Sequence, residues 1–530
     1  MNSIADQETT QSTPDTRIVA VVDIGATSVR MMIAEVHADG TIHALESLSQ
    51  AVQLGRDSFI NGKISRSTIE DCVHVLQIYR AKLREYGIDR PEDVRVVATS
   101  AVREASNRLA FQDRVFIATG FDIEPFDESR LHRITFLGIK PILEESAELN
   151  QGQTIVCEVG GGTTELMLLE DGHVTFAQTY RLGALRLIKT LEAFRTPLVK
   201  SRTLMETQIS NTINQFMAAS GPLNSPNFVV MGGDMRLAAM KILQRVPTES
   251  TVRLSVAEFE AFTEQVIQLN PDQLVKKFQS SVHESESLAP ALLSNLLIAR
   301  ALGVDELHVA SVNLRDGLIK EMTTSTTSFA QAQEQVINSV IVTGRRFGFD
   351  EAHARSVDQL AVSLFQQTSR LHGLDQGWEI LLRMAALLHE VGLAVNERSY
   401  HKHSMYIIRN SVFFGVGTRD LLLVALIARY HRRAVPQPTH DTYSQLNRED
   451  RASVSKLAAI LRVAKALDAS RSQRIQNIRC DVSGNKLQIF VPALADVTLE
   501  QLELRREREL FENVFGLKAE LLQEPLDSRF

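Results

Sequence analysis

Apolar residues recur along this chain in two rhythms. The segment IVAVVDIGATSVRMMIAEV at 18–36 sets two β-branched runs either side of a short Gly/Ser turn, which predicts a β-hairpin. TIVCEVGGGTTELMLLEDG at 154–172 repeats that unit about 135 residues further on. The repetition predicts two similar lobes facing each other. Between the hairpins, the spacing predicts a helix over 67–86, and VRVVATSAVREASN at 94–107 reads as strand, turn and helix start. FVVMGGDMRLAA at 228–239 runs a strand into glycines, and ELHVASV at 306–312 is a further strand. The period then changes to 3.6, as in DQLAVSLFQQTSRL and EILLRMAALLHEVGL, and predicts an all-helical domain. Within it LLLVALIA at 421–428 is a buried core helix, and the lone Trp378 sits on an apolar helix and is assigned to the core. Last come a hairpin in IRCDVSGNKLQIFV with its turn near Ser483-Gly484, a charged helix over 499–514 and a strand in LKAELL.

These rhythms divide the chain into a disordered polar tail at 1–16, a first lobe at 17–140 and a second lobe at 141–321. A linker at 322–330 follows, because MTTSTTSFA is rich in Ser and Thr and has no period. The helical domain takes 331–475 and a small α+β appendix takes 476–530. No run approaches the length of a membrane span, and the tail has neither the apolar core nor the basic leader of a signal peptide. Cys72, Cys157 and Cys480 lie far apart with no paired spacing, so no disulfide frame or zinc knuckle is expected, and a reducing, cytoplasmic setting fits. The formal net charge of −7 argues against DNA or RNA as a partner. The charge is uneven, however: residues 396–474 carry 14 Lys/Arg against 6 Asp/Glu, an excess of +8. An anion-binding surface is therefore expected on the helical domain, through Lys402, Arg409, Arg432 and Arg433 among others. A solvated polar face is the plainer reading of the same residues.

In both hairpins a carboxylate ends a strand and a turn of small residues follows: Asp23-Ile-Gly-Ala-Thr-Ser28 and Glu158-Val-Gly160-Gly161-Gly162-Thr163-Thr164-Glu165. Glycines let a backbone approach a phosphate and aim amide N–H groups at it, and the hydroxyls of Ser28 and Thr163 add donors. The carboxylates would repel a phosphate unless a divalent cation such as Mg²⁺ lies between them. One such turn alone is an ordinary glycine hairpin; the pair points to a clamp on a phosphoanhydride.

VVDIGATSVR and EVGGGTTEL resemble the first and second phosphate motifs of the exopolyphosphatase / guanosine pentaphosphate phosphohydrolase family. ATSAVREASN at 98–107, MGGDMRLAA, SVNLRDGLI at 311–319, LLHEVGL at 387–393, HKHSMYIIRNS at 401–411, ARYHRR at 428–433 and FENVFGLKAELL resemble further segments of it, so the likeness runs from about residue 18 to 522. The resemblance implies a two-lobed α/β actin-like fold with the active site in its cleft, followed by an all-α HD-like domain and the small α+β appendix. It implies that Asp23, Glu158 and Glu165 hold Mg²⁺ or its water. Ser28, Arg30, Arg103, Gly160 to Thr163 (Gly161 and Gly162 included), Gly232 and Gly233 would bind phosphates. It also implies a homodimer acting on polyphosphate or guanosine pentaphosphate.

The chain departs from the family in places. Glu158 replaces an Asp and Thr27 an Asn. The family's general base is a glutamate in an EEARL-like segment, and here DIEPFDESRLHRITFLGI at 122–139 lacks the preceding Ser-Gly. Aligning Asp127-Glu128-Ser129-Arg130-Leu131 makes Glu128 the base at the cost of loop-length changes, which loops tolerate. An ungapped alignment puts Arg130 and Leu131 there and leaves no base. In the helical domain His389-Glu390 stands where metal-dependent HD phosphohydrolases have His-Asp, and Asp468 could be a distal acid. With Glu390 in place of Asp the set is incomplete, a core-satisfied His389 suffices, and a metal-free domain is expected. The expected activity is hydrolysis of a terminal phosphate. A polyphosphate- or nucleotide-binding regulator without catalysis is the second reading, and a sugar kinase or ATPase of the same superfold the third.

Overall fold

The computed structural model describes residues 16–193, 198–279, 281–323, 326–492 and 496–523. All but the last residue of the expected N-terminal tail lies outside them. The chain divides into two compact units, one reaching Gly172 and resuming over Ala177–Ser328, the other made of Phe329–Phe530 with the short piece His173–Phe176.

The first unit holds two sheets of one design. In the first, β1 (Thr16–Ile24), β2 (Ser28–His37), β3 (Ile42–Ala51), β4 (Val94–Ala98) and β5 (Ile123–Pro125) lie in the order β3-β2-β1-β4-β5. In the second, β6 (Gln153–Val159), β7 (Thr164–Glu170), β8 (His173–Tyr180), β9 (Asn227–Met231), β10 (Thr251–Ser255) and β11 (Glu306–Ala310) lie in the order β10-β11-β9-β6-β7-β8. β1 and β6 are equivalent: each pairs antiparallel with the next strand and parallel with a later one, β4 or β9. This is why both are near-continuous apolar runs. A central strand is covered on both faces, so Val19 to Val22 and Thr154 to Cys157 are all buried. The parallel strands end together, and ligands of such sheets bind beyond those carboxyl ends.

One face of the first sheet packs on the helix Arg66–Glu85 through Cys72, Leu76 and Tyr79. The other face packs on the helices Glu128–Glu145 and Leu314–Thr323 through Leu131, Ile134, Leu318 and Ile319. The latter helix therefore corrects the expected lobe boundaries: part of 141–321 returns to complete the first lobe. Its seat depends on Gly317, where a Cβ would run into the carbonyl oxygen of Ile134. Gly317→Ala is expected to cost about 1–3 kcal/mol, the usual penalty of overpacking against a neighbour that cannot move. A melting temperature indistinguishable from wild type would contradict this.

The expected linker at 322–330 is also corrected. Helices Leu314–Thr323 and Thr326–Arg346 occupy it except for residues 324 and 325, which lie outside the described residues. Ser and Thr lower helix propensity by only a few tenths of a kcal/mol each, too little to stop a helix that goes on to bury Val336, Ile337, Val340 and Ile341.

The second unit is mainly helical from Phe329 to Ala466, as its 3.6 period predicts, and Thr418–Arg429 forms a buried helix. Trp378 packs part-buried against its core. β12 (Arg479–Ser483), β13 (Lys486–Val491) and β14 (Lys518–Gln523) then form a sheet in that order, with helices Thr498–Glu507 and Glu509–Phe515 before the last strand. The appendix is not a separate domain. Leu487, Ile489, Val491, Leu504 and Phe511 share one core with the helices, since three short strands cannot bury an interior alone. All three cysteines are free thiols, and among the described residues no helix is long and apolar enough to cross a membrane.

Candidate functional site

The two predicted turns close in the same way. Gly25 donates its amide to the Ser28 carbonyl at 3.0 Å, and Gly160 to that of Thr163 at 2.8 Å. Neighbouring chain takes up the turn carbonyls: Gly55 donates to Ala26 and Val52 to Thr27, while Ala184 donates to Gly160 and Arg186 to Gly161. Among the described residues the amides of Ala26, Thr27 and Gly161 have no backbone acceptor, so they remain for a ligand. The turns meet. A Cβ on Gly161 would stand 3.2 Å from that of Ala26. Gly162 lies beneath them, against Phe59 and Ser100, and shapes the turn without lining the cavity.

Above the turns opens a cavity of about 680 Å³. Asp23, Ser28, Arg30, Glu158, Glu165, Thr163 and Gly160 line it, as do Gly232 and Gly233. Asp23 is paired in register with Arg30 across the first hairpin, and Glu158 with Glu165 across the second. Gly232 has φ 111°, a conformation that glycine adopts freely, and it starts the helix Gly233–Leu243 with its amide end at the cavity. Sequence reasoning missed four charged liners, among them Glu284. Arg236 and Asp234 come from that helix, and Arg315 from the SVNLRDGLI segment, with Nη1 3.7 Å from Asp23 Oδ2. For Arg236 the available signal was a cationic residue three or four positions past a glycine turn.

Burial drives the acids here toward their neutral forms. It raises Asp23, partly offset by Arg30 and Arg315. It raises Glu158, partly offset by Arg236 and reinforced by Asp23. It raises Glu165 well above the usual carboxylate range, with the Glu158 charge adding to the effect. Asp23 Oδ1 and Glu165 Oε2 are buried without a hydrogen-bond partner. Crowded, partly orphaned acids are what a cation would relieve, so the residues fit a divalent ion. They do not close to within 4.8 Å as a set of three, so such an ion would reach some of them through water or phosphate oxygens.

The sign of the pH effect follows. Acids whose folded pKa is raised favour the folded state most at low pH, and that contribution is lost as pH rises through their raised values. Added Mg²⁺ is therefore expected to raise the melting temperature more at pH 8 than at pH 5, by the equivalent of about 2.7 kcal/mol at a hundredfold excess over Kd. Equal shifts at both pH values, measured by calorimetry, would count against a cation among these acids.

Glu128 begins the helix Glu128–Glu145, which Asp127 caps by accepting from the Arg130 amide. Its side chain is about half exposed, 48% by relative area, and partial desolvation raises its carboxyl, offset in part by Arg103. Neither Glu128 nor Arg103 lines the cavity. Arg103 Nη1 donates to the Phe126 carbonyl at 2.9 Å and Nη2 lies 3.8 Å from Glu128 Oε1. The expected phosphate ligand thus sits here as the partner of Glu128, and the charges of both bear on Glu165.

In the second unit the expected basic surface is partly spent on structure. Arg462 is buried and donates to the carbonyls of Tyr430, Arg433 and Ala434, Arg419 pairs with Asp450, and Arg471 pairs with Glu390. Lys402 and Arg433 are exposed, Arg432 lies over the Tyr400 ring at 4.6 Å, and Arg409 ends the helix Tyr400–Arg409. Lys402, Arg432 and Arg433, with Arg429, cluster around His401, whose pKa falls to about 4 through burial and then through these cations. His389 is fully buried, and next to it stands His353, which the sequence reading did not find.

Two family models match this chain: Ppx/GppA phosphatase family over residues 20–326, and Ppx/GppA phosphatase, domain III, over residues 337–508. A Vibrio atlanticus protein named guanosine-5'-triphosphate,3'-diphosphate pyrophosphatase is 23% identical over 509 residues, covering 93% of this chain and 96% of that protein. One of the same name from Pseudoalteromonas atlantica is 23% identical over 498 residues, covering 90% and 91%. Among solved structures, an exopolyphosphatase from Cytophaga hutchinsonii aligns with a TM-score of 0.51 at 19% identity, over 58% of this chain and 98% of that one.

Proposed function

Because the chain belongs to the Ppx/GppA phosphatase family, we propose that it hydrolyses a terminal phosphoanhydride, of inorganic polyphosphate or at the 5′ end of guanosine pentaphosphate. The observation that carries this reading is the pair of touching turns, each with a strand-end acid, beneath one cavity lined by Arg30, Arg236 and Arg315. The amides of Ala26, Thr27 and Gly161, the hydroxyls of Ser28 and Thr163, and the amide end at Gly233 would cradle the terminal phosphates. The three arginines would hold the flanking phosphate oxygens. Glu128 would accept a proton from the attacking water on its carboxylate, with Arg103 fixing the orientation of that group. Mg²⁺ held by Asp23, Glu158 and Glu165 would neutralise charge on the phosphoryl group.

The test is phosphate release from long polyphosphate and from guanosine pentaphosphate, side by side, with and without Mg²⁺. Release from either that requires Mg²⁺ supports the reading. Tight binding of both without release would favour a regulator instead.

Lys402 and Arg433 of the second unit are exposed and, among the described residues, have no acidic partner, and on this proposal they would add contacts for a long polyanion. Affinity for long polyphosphate is then expected to fall more steeply with salt than affinity for a short oligophosphate, as counterion release dictates. Lys402→Ala with Arg433→Ala should weaken the long chain several-fold and leave turnover of the short one unchanged. Arg432 is a poorer choice, because it packs on Tyr400. Equal salt slopes for both substrates would return this patch to an ordinary solvated face.

A further inference from the structure

We propose that His353, His389 and Glu390 form a binding site for a divalent first-row transition-metal ion inside the helical unit, separate from any Mg²⁺ in the cleft. One donor atom from each lies within 4.8 Å of the others, and all three side chains are buried. Each imidazole is already oriented by its other nitrogen. His353 Nδ1 is 2.7 Å from Asp468 Oδ2, and His389 Nδ1 is 2.7 Å from the Ala386 carbonyl oxygen. A carboxylate and a carbonyl only accept, so both Nδ1 atoms carry the proton and both Nε2 atoms present lone pairs. Those two Nε2 atoms are buried and have no hydrogen-bond partner.

The acid completes the set. Glu390 Oε1 lies 3.9 Å from His389 Nε2 and accepts from the Tyr400 hydroxyl at 3.2 Å, while Oε2 is held by Arg471 at 2.6 Å. One carboxylate oxygen thus faces the imidazoles and the other is anchored from behind. Two lone pairs and a carboxylate converging in a buried space lack only a cation. Metal-bound histidines are held in this way, by a carboxylate or carbonyl on the far nitrogen. Imidazole with carboxylate suits Zn²⁺, Mn²⁺ or Fe²⁺, whereas Mg²⁺ prefers oxygen alone. Ligand bonds of about 2.0–2.2 Å require the donors to draw in by up to about 1 Å. His431 stacks edge-on to His389 at 5.0 Å and its Nε2 is 3.2 Å from the Tyr400 hydroxyl, so a fourth position opens toward polar groups.

The expectation of a metal-free helical domain rested on Glu390 standing where an HD ligand set has Asp, and on a set that is incomplete along the sequence. His353 comes from the helix Glu351–Gln367, 36 residues before His389, and only the packing of that helix against Gly377–Leu388 brings the rings to 5.6 Å.

Full-length protein stripped with a chelator would be titrated with Co²⁺, followed by its visible d–d bands, and with Zn²⁺ and Mn²⁺, counted by elemental analysis after gel filtration. One equivalent with micromolar or tighter Kd is expected. His353→Ala and His389→Ala should weaken it at least about a hundredfold, and Asp468→Asn about ten- to a hundredfold. The cleft variant Glu158→Gln should keep the full equivalent, which separates this site from the cleft. Should a histidine variant fail to fold, the isosteric Glu390→Gln decides the matter by the same loss. Wild type that takes up no more metal than Glu390→Gln, or loses its metal in Glu158→Gln, overturns the proposal.

Discussion

Glu128→Gln is expected to lower turnover by at least about two orders of magnitude while leaving substrate affinity within a few-fold, because a positioned general base contributes about 10²–10⁴-fold. The substitution keeps the side chain's size and removes only its proton-accepting charge. Helix Glu128–Glu145 is seated by Gly317 and Gly138, its first turn is capped by Asp127, and Arg103 stands 3.8 Å from the carboxylate, so the backbone has no reason to move. Partial desolvation raises the half-exposed Glu128 in spite of Arg103, which draws its proton affinity toward that of a useful base. Activity on the acid side should therefore fall as Glu128 becomes protonated, and that limb should vanish with the mutant's residual rate. Wild-type turnover in Glu128→Gln would assign the base elsewhere. It would favour the ungapped reading of the segment, which has no acid at that point.

Glu158→Gln is expected to do two opposite things: cut kcat/KM by about 10²–10³-fold and raise the melting temperature at pH 8. The first follows if Glu158 helps to hold the cation, whose charge is worth several kcal/mol at the transition state, at about 1.36 kcal/mol per tenfold. The second follows from the electrostatics. Burial first, and Asp23 in addition, push Glu158 toward its neutral form against the pull of Arg236, so an uncharged isostere relieves more than it loses. The gain should shrink as the pH falls and the wild-type acid takes up its proton. A site that stores like charge for function should become more stable and less active when that charge is removed. A mutant that is less active and also less stable at pH 8 would mean that the Glu158–Arg236 attraction outweighs the crowding. Full activity would remove Glu158 from the site.

Much of this molecule follows from local rules that act within a few residues. β-Branched runs around small-residue turns make β1–β2 and β6–β7, and their repetition announces two lobes of one topology, because a buried central strand must be apolar on both faces. The turns themselves, and the acids at 23 and 158, were legible because a glycine turn closed by one amide needs only four consecutive residues. The 3.6 period likewise marked the helical unit, since one face of each helix must meet the core.

What depended on distant segments was not legible. The helix Leu314–Thr323 joins the first lobe because Gly317 lets it lie on Ile134, a contact across more than 180 residues of chain. Arg236 and Arg315 reach the cavity only once their strands and helices are stacked, and Arg103 turns to Glu128 only when the helix Glu128–Glu145 is in place. The linker was misjudged because Ser and Thr are poor but sufficient helix formers when an apolar face follows. The sequence by itself determined the period of each element and the chemistry offered at each turn, since both are set by neighbours along the chain. Only the tertiary structure decided which charges share a cavity and which histidines share a buried space, since burial and Coulomb energy depend on distance in space.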